Sequence, residues 1–339
     1  MEEFLKKTEC HFNWNLSAID VTDLSWVEKL RGKIEENQSL DDPSELIWPL
    51  KLTYAYELFA TDKEADQDRK ESAKVVEDVI KEIEEARDGL TSKYRTSYVH
   101  IAYSFKAFTL VESKVRSGEV GDLIERIKPI AEMSRIEKSA VLAMQAQILS
   151  YYAQGGVCKG LPLQREAIRM NPEEIEFKLS LVISMHRKRI FYYSPSTAQI
   201  TWSDVEEPVS ILDQLLHHPQ LTSKQRVSCE YFLAQAYSHY LRTLKPYTAE
   251  YKECKLQILK SCDWIHDKSN HPQILAFCAC EFFHLEKNSS KGLSAIEAAL
   301  EKYPLHVGVN AEASKIYESM DDLNSAAKHA QIALDGGGY

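Results

Sequence analysis

Two stretches near the C-terminus carry one residue skeleton about 34 residues apart, and this constrains the fold more than any other feature. The first copy has Ala276, Ala279, Cys280, Phe283, Gly292, Ile296, Ala299 and Pro304. The second has Asn310, Ala313, Ser314, Tyr317, Ala326, Ala330, Ala333 and Gly338. An upstream stretch repeats the phase with Met144, Gln147, Ile148, Tyr151, Gly160, Ala167 and Pro172. Small residues at fixed offsets let two antiparallel helices approach closely. An aromatic fills the gap to the next pair, and proline ends the second helix. One such hairpin cannot bury its apolar face alone, so the hairpins must stack.

The period and the small, aromatic and proline positions are those of the tetratricopeptide repeat. The fold class expected is therefore all-α, a tetratricopeptide-repeat superhelix built as a solenoid of antiparallel helix pairs. Only 12 Gly and 11 Pro in 339 residues agree with long helices and short turns. Helices are expected at about 2–12, from 23, and at 44–60, 69–88, 93–116, 119–134, 173–190, 208–217, 223–245, 248–266, 272–286, 290–302, 306–319 and 323–334, with the repeat copy at 137–172 between them. Thr22 or Asp23 would cap the second, and Asp41-Asp42-Pro43-Ser44 reads as a turn. The chain divides into an N-terminal cap with helical pairs (1–136), a repeat with its following helix (137–190) and an inserted loop (191–207). An irregular helical region (208–271) and two C-terminal repeats (272–339) follow. The glycine tail after the last helix would leave the array truncated or capped by a partner.

Charge argues in two directions. The net charge of -10 disfavours nucleic acid. Residues 35–90, however, hold 17 acidic and 7 basic residues, which is the whole excess. Residues 220–260 hold 7 basic residues against Glu230, Glu250 and Glu253, so a positive patch fits an acidic protein. The acidic stretch could equally meet a partner's basic surface, and both could be ordinary solvated helix faces. No apolar run approaches the ~18 residues of a membrane span, and no secretory leader is read at the start. Seven Cys without framework spacing point to a reducing cytosol, with Cys229, Cys278 and Cys280 as small core residues.

Residues 10–16, Cys10-His11-Phe12-Asn13-Trp14-Asn15-Leu16, resemble the Cys-His-Phe-Thr-Trp-Asn-Leu motif of the interferon-induced proteins with tetratricopeptide repeats. The run Ala167-Ile168-Arg169-Met170-Asn171-Pro172, followed by His186-Arg187-Lys188-Arg189, is similar to that family's repeat end and the basic helix after it. The resemblance implies single-stranded RNA bound by its 5′ end in a positively charged channel, in antiviral defence. Some members take a 5′ triphosphate, others a cap lacking ribose methylation, and some act mainly by binding sister proteins. Family members are longer. If Glu176-Phe177 marks the register, Arg187 falls on a channel arginine; in a second register it does not. The family's phosphate-contacting lysine has no counterpart ahead of Gly155-Gly156, where Ser150, Tyr151 and Tyr152 stand. Its paired arginines are replaced by His284 and Leu285, and its N-terminal polar cluster aligns near Trp26 and Leu30.

The candidate RNA contacts are Arg187, Lys188, Arg189, Arg242 and Lys245 for phosphates, with Tyr247 and Tyr251 for stacking. Tyr151, Tyr152, Tyr192, Tyr193, Tyr237 and Tyr240 are further aromatics, expected mainly to fill repeat interfaces. The basic residues at 186–189 also suit a helix C-terminus on dipole grounds alone. No metal site or cofactor is expected: Cys278 and Cys280 point about 200° apart on a helix, and His217-His218 stands alone. No phosphate loop or nucleophile–base arrangement occurs, so the chain is not expected to be an enzyme. The alternative function is a protein-interaction scaffold working through the superhelix groove, with homo- or hetero-oligomers. Phe277, Glu281, Ala311 and Lys315 at the inner positions do not form a carboxylate clamp.

Overall fold

The computed structural model describes residues 2–16, 19, 25–38, 47–61, 66–114, 117–192, 200–286 and 290–336. Among them are 17 α-helices and no strand. The chain divides into two compact units, 1–192 and 193–339.

The first unit contains α1 (Glu2–Leu5), α2 (Trp26–Gln38), α3 (Trp48–Thr61), α4 (Asp66–Glu85), α5 (Gly89–Lys93), α6 (Arg95–Glu112), α7 (Ser117–Arg126), α8 (Arg135–Leu149), α9 (Ala153–Met170) and α10 (Ile175–Tyr192). The pairs α3/α4, α8/α9 and α9/α10 pack side by side, and α6 packs against α4, α7 and α8. Helix α8 starts on a capping box, with the Ser134 hydroxyl accepting from the Glu137 N–H. Close approach of α9 to α8 depends on glycine. A Cβ at Gly156 would strike the Leu149 carbonyl, and one at Gly160 would lie 2.8 Å from the Ala146 carbonyl.

The expected first helix to Phe12 ends at Leu5, because side chains compete for its carbonyls. The Thr8 hydroxyl donates to Leu5 O at 2.7 Å, and Asn13 Nδ2 donates to Leu5 O and Thr8 O at 2.9 and 2.6 Å. This turns Cys10, His11, Phe12 and Trp14 toward the core and leaves Asn13 exposed. Cys10 and His11 are fully buried. Phe12 packs against Tyr56, Phe59, Phe105 and Phe108 with ring centroids 5.1–5.7 Å apart. His11 lies edge-on to Phe105 at 5.2 Å. The segment that carries the family resemblance is thus a structural lock.

The expected helix 93–116 is preceded by the short α5, and 119–134 splits into α7 and a 3-10 turn at Ile130–Glu132 entered through Pro129. The apolar stripe of α4 is buried at Val76, Val79, Ile80 and Ile83. Its acidic face is engaged within the unit. Glu77 pairs with Lys106, Glu82 with Lys51 at 2.7 Å and Glu84 with Arg126 at 2.6 Å. Lys106, Arg126 and Arg31, from outside 35–90, therefore offset a small part of its acidic excess. The predicted turn at 41–44 and the Thr22 or Asp23 cap lie outside the described residues.

The second unit contains α11 (Glu206–Leu216), α12 (Ser223–Leu241), α13 (Ala249–His266), α14 (Pro272–Leu285), α15 (Ser290–Lys302), α16 (Val307–Ser319) and α17 (Leu323–Asp335). Helices α12 to α17 form three successive hairpins, with α14 also packed on α13 and α16. Thr222, Thr248 and Asp322 accept from first-turn N–H groups of α12, α13 and α17, which fixes where those helices begin. Of the predicted insert, 193–199 lies outside the described residues. The rest holds a 3-10 turn that sets Trp202 against Tyr237 and Tyr240.

Gly292 marks the α14/α15 crossing, where a Cβ would collide with the Phe283 backbone. Gly292→Ala is expected to destabilise the second unit by about 1–3 kcal/mol, the usual cost of overpacking. Thermal denaturation checks this; an unchanged midpoint would show that the crossing tolerates a methyl group.

Candidate nucleic-acid interface

Four helices of the first unit bring polar and aromatic groups into one recess. Helix α10 supplies Arg187, the end of α8 supplies Gln147, Ser150, Tyr151 and Tyr152, α2 supplies Trp26 and Lys33, and α3 supplies Glu57. Trp26 and Lys33 are seven residues apart, two helical turns, and so share a face of α2. The Lys33 ammonium lies 5.9 Å from the Trp26 ring centre. Trp26 packs on Tyr152 at 6.1 Å, and the Tyr152 hydroxyl donates to Glu57 Oε1 at 2.6 Å. Arg187 donates from Nη1 to Ser150 Oγ at 2.5 Å, and its guanidinium stands 5.6 Å from the Tyr151 ring centre. Gln147 Nε2 donates to the Tyr151 hydroxyl at 3.3 Å.

The electrostatics set this place apart. Lys33 is exposed, Arg187 and Tyr151 are half-buried, and desolvation bears on all three. Desolvation lowers the pKa of Arg187, and it lowers that of Lys33 with Arg187 as the next cause. Neither forms an ion pair with a carboxylate among the described residues. The Trp26 indole N–H is out of water and has no hydrogen-bond acceptor there. Half-buried Arg187 and exposed Lys33, neither ion-paired with a carboxylate among the described residues, make this the candidate place for an anion.

The basic run 186–189 is not one patch. Successive residues of α10 point about 100° apart. Arg187 faces the recess, Lys188 is exposed, and Arg189 is 4% exposed. Of the candidate phosphate contacts in this run, Arg189 is therefore turned into the interior and is not offered to a ligand at the surface. Arg189→Glu is expected to cost several kcal/mol of stability, since it places a carboxylate where a buried guanidinium was accommodated. Far-UV circular dichroism during urea unfolding reads this directly. A native-like midpoint would place Arg189 at the surface instead.

Lys33 was missed in the sequence, where attention fell on Trp26 and Leu30. Leu30 is fully buried under Tyr54 and Leu58. The usable signal was the Trp26–Lys33 spacing. Tyr152 is a buried interface tyrosine, as expected for most of the aromatics, whereas Tyr151 lines the recess. The side chains of Tyr192 and Tyr193 lie outside the described residues.

The remaining candidates lie in the second unit. Arg242 closes α12, and its guanidinium is 4.0 Å from the Glu281 carboxylate, which also accepts from Ser238 Oγ at 2.8 Å. Burial raises the pKa of Glu281. Lys315 pairs with Glu312 at 2.8 Å. Phe277 meets Tyr231 edge-on at 5.4 Å. The face shared by α12, α14 and α16 therefore carries cations already matched by Glu281 and Glu312. Lys245 and Tyr247 sit in the α12–α13 turn, where Tyr247 is 87% exposed with a left-handed φ of 74°. Tyr251 is half-buried in the first turn of α13.

No protein-family model matches the chain, and no curated protein matches it in sequence. Solved structures do match. A human IFIT1 dimer with PPP-AAAA aligns with a TM-score of 0.62 at 14% identity, over 99% of this chain and 68% of that one. A human IFIT1 dimer with m7Gppp-AAAA gives 0.63 at 13% identity, over the same shares. A monomeric IFIT1 mutant with Gppp-AAAA gives 0.65 at 14% identity, over 99% of this chain and 71% of that one. At such identity the likeness establishes architecture: the chain has the helical fold of IFIT1, a solenoid of tetratricopeptide type.

Proposed function

We propose that this chain is a divergent member of the interferon-induced tetratricopeptide family and that it binds single-stranded RNA in the recess of its first unit. The observation that carries the reading is the pair Lys33 and Arg187, neither ion-paired with a carboxylate among the described residues and each set against an aromatic ring, Trp26 and Tyr151. Phosphate oxygens would complete their hydrogen bonding, Trp26 N–H would add a donor, and Tyr151 would offer an aromatic wall. The neighbouring structures hold PPP-AAAA or capped AAAA, which supports the ligand class. The role is recognition rather than catalysis, in antiviral defence, and the compartment is the cytoplasm. Titration of a labelled single-stranded RNA against salt tests the reading: affinity should fall linearly in log–log form, with a slope of about -1.4 for two phosphate-facing cations on a single strand. Salt-independent binding would remove the phosphate contacts from the account.

A second reading, a protein-interaction scaffold, is favoured by the second unit. Its α12/α14/α16 face sets Arg242 beside Glu281 and Lys315 beside Glu312, which leaves less charge for an anion there.

A further inference from the structure

We propose that helix α17 is the contact surface for a second copy of this chain, packed antiparallel on the same helix of its partner. One side of α17 packs on α16. Ala326 and Ala333 are buried there, the Ala326 carbonyl accepts from Ser314 Oγ at 3.0 Å, and the His329 ring stacks on Tyr317 at 5.4 Å. Next to that side runs an apolar stripe of Leu323, Ala327, Ala330 and Leu334. Offsets of four, seven and eleven residues, at about 100° per residue, hold the four within about 60° of one another. Leu323 is 68% exposed and Leu334 57%; Ala327 is exposed and Ala330 half-buried. No charge interrupts the stripe, since Asp322, Lys328 and Asp335 lie roughly 110–130° round the helix from its centre. Met320, at the end of α16 just ahead of Leu323, is a further exposed apolar side chain.

The order of residues in the stripe identifies its occupant. Read in either direction it is Leu, three residues, Ala, two residues, Ala, three residues, Leu. An antiparallel copy therefore sets Leu323 of one protomer against Leu334 of the other at both ends, with Ala327 against Ala330 between them. The small central residues let the two helices come close, and the leucines at each end cover one another. One patch meets itself, so the contact closes at two chains. Along the flank away from α16, the same pairing brings Asn324 of one copy beside Gln331 and Asp335 of the other, amides next to a carboxylate. The stripe is only about 16 Å long, short beside a standard interface, so the dimer should be of micromolar affinity.

Sedimentation equilibrium of the full chain from about 1 to 100 μM tests this. It should show single chains of 38.8 kDa in equilibrium with particles of twice that mass, with a dissociation constant of about 10 μM. Leu323→Glu and Leu334→Glu should each weaken the dimer at least about hundredfold. Far-UV circular dichroism should not change, because both side chains already stand in water in the single chain. Leu323→Lys combined with Leu334→Glu in one chain should bring the dimer back toward the parent's affinity, since each end of the antiparallel contact then pairs opposite charges. A 38.8 kDa particle throughout the range would overturn the proposal, as would a dimer that survives both single substitutions. A charge-swapped chain no more dimeric than Leu323→Glu would overturn the antiparallel pairing. Particles larger than a dimer would overturn the closed contact.

Discussion

Replacing Arg187 by glutamate will lower affinity for single-stranded RNA by about a hundredfold, close to 2.7 kcal/mol, with helix content unchanged. Two effects add. The substitution removes a half-buried guanidinium that has no carboxylate partner among the described residues, and it places a negative charge where a phosphate would sit. The salt dependence should flatten by about one counter-ion. Lys33→Glu should act alike through the opposite wall. Both sites are reached by solvent, so the folding cost should be small beside the loss of binding. Arg187→Gln separates the terms: it keeps hydrogen bonding to Ser150 and should lose about half of the effect. An Arg187→Glu protein that binds RNA like the parent would move the site away from α10.

The second large effect is acid unfolding of the first unit. His11 is fully buried among the Trp14, Tyr56 and Phe105 rings and the Thr53 hydroxyl, and burial depresses its pKa from 6.5 to about 3. The unfolded chain therefore binds a proton that the folded one refuses. Stability is complete above the unfolded pKa near 6.5 and is lost as pH falls toward 3, by about 1.4 kcal/mol per unit. Near pH 5 this amounts to roughly 2 kcal/mol from His11 alone. His100 contributes with the same sign, since its pKa is also lowered by burial. Its ring accepts from the Glu9 N–H at 3.0 Å and meets the Lys128 carbonyl at 2.8 Å, a pattern that suits one neutral tautomer. His11→Gln should remove the His11 share, so its stability should fall less between pH 7.5 and 5 than the parent's. Urea unfolding followed by tryptophan fluorescence reports this, because Trp14 lies beside His11 at 5.3 Å. Equal pH dependence in the two proteins would mean that His11 is hydrated in solution.

How far the sequence reached differs between fold and site. The repeat skeleton located α8/α9, α14/α15 and α16/α17, because small residues such as Gly160 and Gly292 are demanded by backbone contact that no other residue allows. Helix ends were less legible where side chains capture carbonyls, as Thr8 and Asn13 do after α1. The site was half visible. Arg187 stood out as a base, but its run of neighbours hid the fact that helical geometry sends Lys188 outward and Arg189 into the interior. Lys33 was hidden because its value arises from α2 lying opposite α8 and α10, a tertiary fact that spacing along one helix only hints at. Arg242 looked equally basic, and its pairing with Glu281 from another hairpin could not be read from either segment alone.

The most direct test of the central claim is ultraviolet crosslinking of a short single-stranded RNA to the full chain, with the adducts located by mass spectrometry. The account predicts crosslinks at Tyr151 and Trp26, lost in Arg187→Glu. Crosslinks confined to the α12–α13 turn around Tyr247, or unchanged by Arg187→Glu, would contradict it.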